Sequence, residues 1–330
     1  MKAIVQDVYG SCDVLEIRDI EKPATPSAGE RDVLIRVRAA AVDAGVWHLM
    51  RGRPYLVRLM GYGLRAPRER VRGREVAGMV EAVGGEVTRF RPGDEVFGFC
   101  EASFAEYARG PEDRFLAKPA NLGIEESAAI PISGVTALQA VRDVGRVRPG
   151  QQVLVIGAAG GVGTYAVQIA KAYGAVVTGV CSTGKTELVR SIGADEVIDY
   201  TREDFAGGRR YDLIVDTAGH RSLTRLRRAL APRGTLVIVG SEGRGRWLGG
   251  TDRALRAVLL SPFTGRRLRG LIAAERLEDL EVLRDLVEAG KVRPVVDRTH
   301  PLSEVPEVIR SLEQGNARGK AVITVSRDTA

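Results

Sequence analysis

Seven residues near the middle of the chain, Gly157-Ala-Ala-Gly160-Gly161-Val162-Gly163, include four glycines. Such spacing serves phosphate binding. Glycines let the chain turn sharply and let its backbone approach a pyrophosphate. A helix that starts there aims N–H groups and a positive dipole end at the anion. The bare pattern is weak, but here an apolar strand precedes it (Val153–Ile156) and an amphipathic helix follows (Val162–Tyr173). That is the setting a dinucleotide site requires. An NAD binder presents a carboxylate to the adenosine ribose about twenty residues further on. This chain reads Cys181-Ser182-Thr183-Gly184-Lys185 there, and the first acid is Glu187. Small hydroxyls and a cation suit a ribose 2′-phosphate, which carries about two negative charges near neutral pH. NADPH is therefore favoured over NADH.

The elements that must position these residues alternate. Strands are expected at Val153–Ile156, Val176–Val180, Glu196–Asp199, Leu213–Asp216 and Thr235–Val239, with helices such as Val162–Tyr173 and Lys185–Ile192 between them. Such alternation predicts a doubly wound parallel sheet of Rossmann type. The first ~120 residues are instead rich in short strands: Val33–Val42, Val76–Val83, Ser103–Ala108, and a Pro-Gly turn at Arg91–Val96. They predict a partly closed barrel. Helices follow at Arg253–Leu260 and Leu277–Ala289, and the tail reads strand, helix (Ser303–Glu313), strand (Lys320–Val325). The last strand of the alternating sheet, Thr235–Val239, has an edge that can pair with a second copy, so a homodimer is the expected assembly.

Composition narrows the class. The chain has 330 residues, 44% hydrophobic and 28% charged, which suits two ordinary globular domains. No apolar run has the length of a membrane span. The start, Met1–Asp7, reads as a first strand without a cleavage-site pattern, so a cytoplasmic location is expected. Three cysteines (Cys12, Cys100, Cys181) and three histidines (His48, His220, His300) lie far apart. They form neither a disulfide framework nor a local metal cluster. The net charge of +7 gathers in Arg51–Arg74 and Arg244–Arg269. A solvated basic surface explains it better than nucleic-acid binding, since no RNA motif and no stripe of aromatic and basic residues accompanies it.

The β-rich start, the Ala-Ala-Gly-Gly-Val-Gly turn, the stretch Ser191-Ile-Gly-Ala-Asp-Glu-Val-Ile-Asp-Tyr200 and the tail Ala317-Arg-Gly-Lys-Ala-Val-Ile-Thr-Val325 together resemble the medium-chain dehydrogenase/reductases, in their zinc-independent, quinone-oxidoreductase-like branch. The resemblance runs from Met1 to about Val325. It implies a GroES-like β-barrel domain over residues 1–123, a Rossmann domain over 124–292, a return to the first domain over 293–330, and a nicotinamide in the cleft between the domains. Zinc members carry Gly-His-Glu where this chain has Gly73-Arg74-Glu75, and their earlier Cys ligand falls near Asp43. Arginine stays protonated and does not ligate zinc. A zinc-free site is expected.

What remains is hydride transfer to a quinone or to the β-carbon of an α,β-unsaturated carbonyl, where positioning and a few hydrogen-bond donors suffice. The resemblance assigns Thr136 to the nicotinamide end, Gly157, Gly160, Gly161, Val162 and Gly163 to the pyrophosphate, and Ser182, Lys185 and Tyr200 to the 2′-phosphate. Val239, Gly240 and Ser241 fall beside the nicotinamide ribose, and Gly319 with Lys320 at the closing of the cleft. Relatives often read Val-Asn-Pro-x-Asp where this chain has Val42-Asp43-Ala44-Gly45-Val46, so their acceptor preference does not carry over. Asp43 and Tyr55 are the candidate catalytic residues. Trp47 and His48 are the candidate pocket residues, with His48 a possible proton donor. Two other readings stay open: a zinc-free alcohol or aldehyde dehydrogenase, and an NADPH-binding protein with a nonredox role such as RNA binding or redox sensing.

Overall fold

The computed structural model describes residues 1–240 and 251–325. Contacts divide the chain into two compact units: Met1–Ile132 with Glu275–Glu288 and Pro294–Ala330, and Ser133–Ala274 with Ala289–Arg293. The chain positions 123/124 and 292/293, where domain limits were expected, are not the limits of these units.

The first unit opens with β1 (Lys2–Val5) and β2 (Glu16–Asp19), an antiparallel pair. Then come β3 (Asp32–Val42), α1 (Ala44–Arg51), the short turn α2 (Tyr55–Val57), β4 (Glu75–Val83), β5 (Glu95–Phe99), β6 (Tyr107–Pro111), β7 (Phe115–Ala117) and α3 (Ile124–Ala128). The strand expected over 103–108 begins only at Tyr107; before it, Ala105 makes a single bridge to Ala3. β3 is long enough to serve two partners along one edge. Asp32–Arg36 pair with β6, and Ala39–Val42 pair with the chain's last strand. On its other edge β3 pairs with β4. Sharing an edge in this way curves the sheet into the GroES-like barrel. Val33, Ile35, Val37, Val76, Val80, Val96 and Phe115 fill its interior. A second core gathers Ile4, Val46, Met50, Phe104 and Ile323 under α1.

The second unit holds α4 (Pro131–Leu138), which begins just before the unit limit, and then β8 (Gln152–Ile156), α5 (Gly161–Ala172), β9 (Val176–Cys181), α6 (Thr186–Ser191), β10 (Glu196–Asp199), β11 (Tyr211–Asp216), α7 (Leu223–Ala229), β12 (Leu230–Ile238), α8 (Thr251–Leu260) and β13 (Arg267–Gly270). The sheet order is β10-β9-β8-β11-β12-β13 with every neighbour parallel. This is the doubly wound order, with its switch point between β8 and β11. The central strands are apolar throughout because both faces are covered: Val153 to Ile156 and Leu213 to Val215 are all buried. The chain ends with α9 (Leu277–Glu288), β14 (Val296–Pro301), α10 (Val305–Glu313) and β15 (Lys320–Thr324).

One sequence expectation needs correcting. Thr235–Val239 is not an edge. Its residues Thr235–Ile238 are the C-terminal end of β12, which pairs with β11 on one side and β13 on the other. The edge on this side of the sheet is β13, Arg-Leu-Arg-Gly, in which only Leu268 is buried. Two charges in four residues hid it from a hydrophobic pattern.

Candidate functional site

The glycine turn sits at the switch point. Gly157 follows β8 with φ +81°, and the N–H groups of Gly157 and Ala158 both donate to Val180 O at 3.1 Å. A Cβ on Gly157 would lie 2.5 Å from Thr217 Oγ1, the hydroxyl that donates to Ile156 O at 2.8 Å. A Cβ on Gly163 would collide with Gly157 O, so α5 packs on the turn more closely than any side chain permits. Gly160 is the N-cap, in extended conformation, and Gly161 and Val162 open the helix. The first amides of an α-helix have no carbonyl one turn earlier to bond, so they face outward. A cradle that a single Cβ would fill, at a twelve-residue helix start, suits a pyrophosphate.

At the adenosine end, β9 and β10 run side by side with Cys181 opposite Asp199. Ser182 and Tyr200 therefore leave neighbouring strand ends. Lys185 closes a 3-10 turn, with its N–H donating to Ser182 O at 2.9 Å. Tyr200 is 49% exposed, and the Arg221 guanidinium carbon lies 5.1 Å from its ring centre. Sequence reasoning missed Arg221, because nothing local marks it. It also passed over Asp199, whose carboxylate accepts from the Thr183 and Thr201 hydroxyls at 2.5 and 2.7 Å. The Thr183 hydrogen bond, aided by Thr201, holds Asp199 below the usual carboxylate range. A carboxylate occupied in this way organises the loop.

Val239 and Gly240 leave β12 with both N–H groups donating to Asp216 O, at 3.0 and 3.2 Å. Asp216 is fully buried. Its side chain accepts from Ala218 and Gly219 N–H and from Arg253. The ends of β8, β11 and β12 are thereby tied together within the second unit. Ser241 lies outside the described residues. Thr136 is half-buried on α4.

The first unit gathers charged side chains. Asp43 caps α1, with Oδ1 accepting from Gly45 N–H at 2.5 Å. Arg74 Nη1 is 4.0 Å from that oxygen, its Nη2 donates to Glu275, and Glu275 also takes Arg114. Burial disfavours the Arg74 charge, but Asp43, Glu275 and Glu101 outweigh it and fix the guanidinium as a cation. Beside it, Glu75 is wholly buried. It accepts from Lys320 Nζ, itself 2% exposed, and from Ile132 N–H at 2.9 Å. Burial pushes Glu75 upward, while Lys320 opposes the rise. Gly319, with φ +73°, turns the chain against Val295 O so that Lys320 enters this pocket of charge. Trp47 and His48 stack at 4.2 Å with a 49° tilt, and His48 Nδ1 lies 3.2 Å from Arg53 O. Burial lowers the His48 pKa, which favours the neutral ring and leaves little imidazolium near neutral pH to give up a proton. Tyr55 lies under the Arg58 guanidinium, 4.8 Å from its ring centre. Thus Asp43 joins Arg74 and Glu75, and Trp47 joins His48. Glu275, 201 residues from Arg74, carried no local signal.

Among the described residues, no three or more His, Cys, Asp or Glu side chains are grouped to hold a metal ion, and no helix is long and apolar enough to cross a membrane.

Known proteins share this architecture. Residues 29–141 match the model of the alcohol dehydrogenase GroES-like domain, and residues 192–323 match a model described as zinc-binding dehydrogenase. The chain is similar to the NAD(P)H oxidoreductase RTN4IP1, mitochondrial, of Mus musculus, at 34% identity over 98% of this chain and 89% of that protein. It is also similar to the 2-methylene-furan-3-one reductase of Solanum lycopersicum, at 34% identity over 98% and 79%. The solved quinone oxidoreductase of Coxiella burnetii superposes with a TM-score of 0.86 at 29% identity, over 99% of both chains.

Proposed function

The chain belongs to the medium-chain dehydrogenase/reductase superfamily, in its quinone oxidoreductase-like branch, and is an NAD(P)H-dependent oxidoreductase; from that premise we propose that it uses NADPH, without zinc, to reduce quinones or α,β-unsaturated carbonyl compounds. The observation that carries this reading is Arg74. It stands where zinc members place a metal-ligating histidine, and Glu275, Asp43 and Glu101 hold it as a cation. A fixed positive charge repels a divalent cation and cannot give it a lone pair.

When bound, the dihydronicotinamide supplies the reducing equivalents. The chain's own residues do the rest. Gly157, Gly160, Gly161, Val162 and Gly163 hold the pyrophosphate on backbone amides. Ser182, Lys185, Tyr200 and Arg221 hold the 2′-phosphate, with the two cations supplying charge-assisted bonds. Thr136, Val239, Gly240 and Ser241 serve the nicotinamide end. Asp43, Trp47, His48 and Tyr55 belong to the acceptor side, where Asp43 acts by placing Arg74. The substrate in the name of the Solanum lycopersicum relative, a 2-methylene-furan-3-one, is itself a conjugated ketone, which supports an enone acceptor. Thiol-based sensing at Cys100 or Cys181 is disfavoured: burial pushes the Cys100 thiol up to about 12 and Cys181 up to about 11, leaving little thiolate there near neutral pH. A homodimer is proposed through β13, the edge strand next to β12.

The test is oxidation of NADPH against NADH, with and without EDTA, with 1,4-benzoquinone and 2-hexenal as acceptors. Turnover that prefers NADPH and survives EDTA is the expected result. Activity lost in EDTA and restored by zinc overturns the reading of Arg74.

A further inference from the structure

Residues 51–74 hold eight arginines and one acid, Glu69. The fold occupies five of the eight. Arg51 pairs with Glu313, Arg70 with Asp7 and Arg74 with Glu275. Arg58 lies over the Tyr9 and Tyr55 rings, and Arg72 is buried. Arg53, Arg65 and Arg68 stay exposed and make no ion pair among the described residues. Between them, after α2, the chain makes a helical turn over Arg58–Tyr62 that breaks at Gly61, with φ +101°. Three apolar side chains there face water: Leu59 is 70% exposed, Met60 60% and Leu64 65%. The backbone beneath them is fastened. The Tyr9 hydroxyl sits 2.7 Å from the carbonyl oxygens of Tyr62 and Gly63. Arg58 Nε donates to Gly52 O at 2.9 Å, and its Nη1 to Leu64 O at 3.4 Å. Arg68 N–H closes the loop on Tyr62 O at 2.9 Å. Apolar residues gathered on such a loop and rimmed by charge mark an interaction surface.

We propose that this loop docks the protein on an anionic lipid bilayer: Leu59, Met60 and Leu64 enter the boundary between headgroups and acyl chains, and Arg53, Arg65 and Arg68 meet lipid phosphates. The contact is peripheral. A bilayer surface offers phosphate and hydrocarbon within about 5–10 Å of depth, which this mixture of side chains requires. A second copy offers neither. Two-fold pairing would set Arg53, Arg65 and Arg68 against their own equivalents, and like charges face to face oppose association. Nucleic acid brings phosphates, but its bases stack on aromatic rings, where this loop presents leucines and a methionine. Docking is read without nucleotide or acceptor. Its failure leaves the reductase reading standing, and a protein that reduces no quinone can still dock.

The test is sedimentation of the whole chain with phosphatidylcholine vesicles, with and without an equal share of phosphatidylglycerol, at low and high salt. Wild type is expected to bind the anionic vesicles about a hundredfold tighter, roughly fivefold from each of the three arginines, and salt should remove most of the difference. Arg65→Gln with Arg68→Gln should cut the preference by about twentyfold. Arg91→Gln with Arg298→Gln removes the same charge from exposed positions elsewhere and should leave it unchanged. Leu59→Gln, Met60→Gln and Leu64→Gln together should weaken binding by at least about tenfold at either salt. Binding that survives the three glutamines, or that both arginine pairs weaken alike, is adsorption of a basic protein and overturns the proposal. Absence of binding to either vesicle overturns it and hands the loop to a protein partner. Self-association without lipid that the three glutamines abolish overturns it in favour of a second copy. Met60→Trp gives a local reading: the added emission should shift to the blue on anionic vesicles and be quenched by brominated acyl chains, and an unshifted, unquenched signal overturns insertion.

Discussion

The second unit prepares for its ligand with backbone, and the first with side chains. At Gly157–Gly163 the working groups are amides, placed by one turn and one helix start within seven residues. Around Arg74 they are charges carried in from β3's end, β4, β15 and the segment before α9, then buried against one another. A backbone site is set by local geometry and tolerates almost any neighbour. A side-chain site is set by distant pairings, so each member depends on another far along the chain.

The largest expected effect breaks the first unit's arrangement. Lys320→Met leaves Glu75 buried and unpaired, which costs about 3–5 kcal/mol of stability at neutral pH. The loss should shrink in acid, where the carboxyl protonates, and adding Glu75→Gln should recover most of it. Urea unfolding of wild type and the two variants reads this directly; equal stability of K320M and wild type means that the pair carries no weight.

The matching blow to the second unit is Gly163→Ala. Its methyl meets Gly157 O, a backbone atom that cannot swing away. Overpacking of this kind costs about 1–3 kcal/mol. The expected result is a shifted turn and weaker NADPH binding, by about ten- to a hundredfold, seen by quenching or calorimetry. Unchanged affinity would remove the close approach of α5 to the turn from the argument.

A smaller and more selective effect tests the 2′-phosphate group. Lys185→Ala and Arg221→Ala should each weaken NADPH by about tenfold and leave NADH nearly untouched. Equal losses for both cofactors would make these residues structural.

The smallest effect concerns His48. Its pKa is lowered on folding, chiefly by burial, from a reference of 6.5. The unfolded chain therefore takes up a proton before the folded one does, and stability falls as pH drops through about 6.5. His48→Gln should flatten that part of the pH–stability curve by less than about 1 kcal/mol.

The contrast between the units also explains what was legible beforehand. The glycine turn, the parallel strands and the departure at Arg74 could be read because each is a local pattern. Asp43 was picked out, but its duty as the cap of α1 needed the structure. Arg72 was visible only as one arginine in a basic stretch, although it is the buried member of that stretch. Glu275 meets Arg74 from 201 residues away, Arg221 meets Tyr200 from beyond β11, and β13 had too few apolar residues to register. Side-chain sites assembled over such distances leave no periodicity to detect.

Two glutamines in the second unit behave as extra peptide groups. Gln139 both donates to Ala274 O, at 2.7 Å, and accepts from Ala274 N–H, at 3.0 Å. Gln168 does the same for Arg293, at 2.9 and 2.8 Å. Ala274 is where the chain leaves this unit, and Arg293 is the last residue before it leaves again. Both crossing points are clipped to side chains that belong to the unit. A circular permutant with new termini inside Glu275–Glu288 would therefore start and stop beyond clips that still hold, and its nucleotide-binding sheet would keep both of its loose ends fastened.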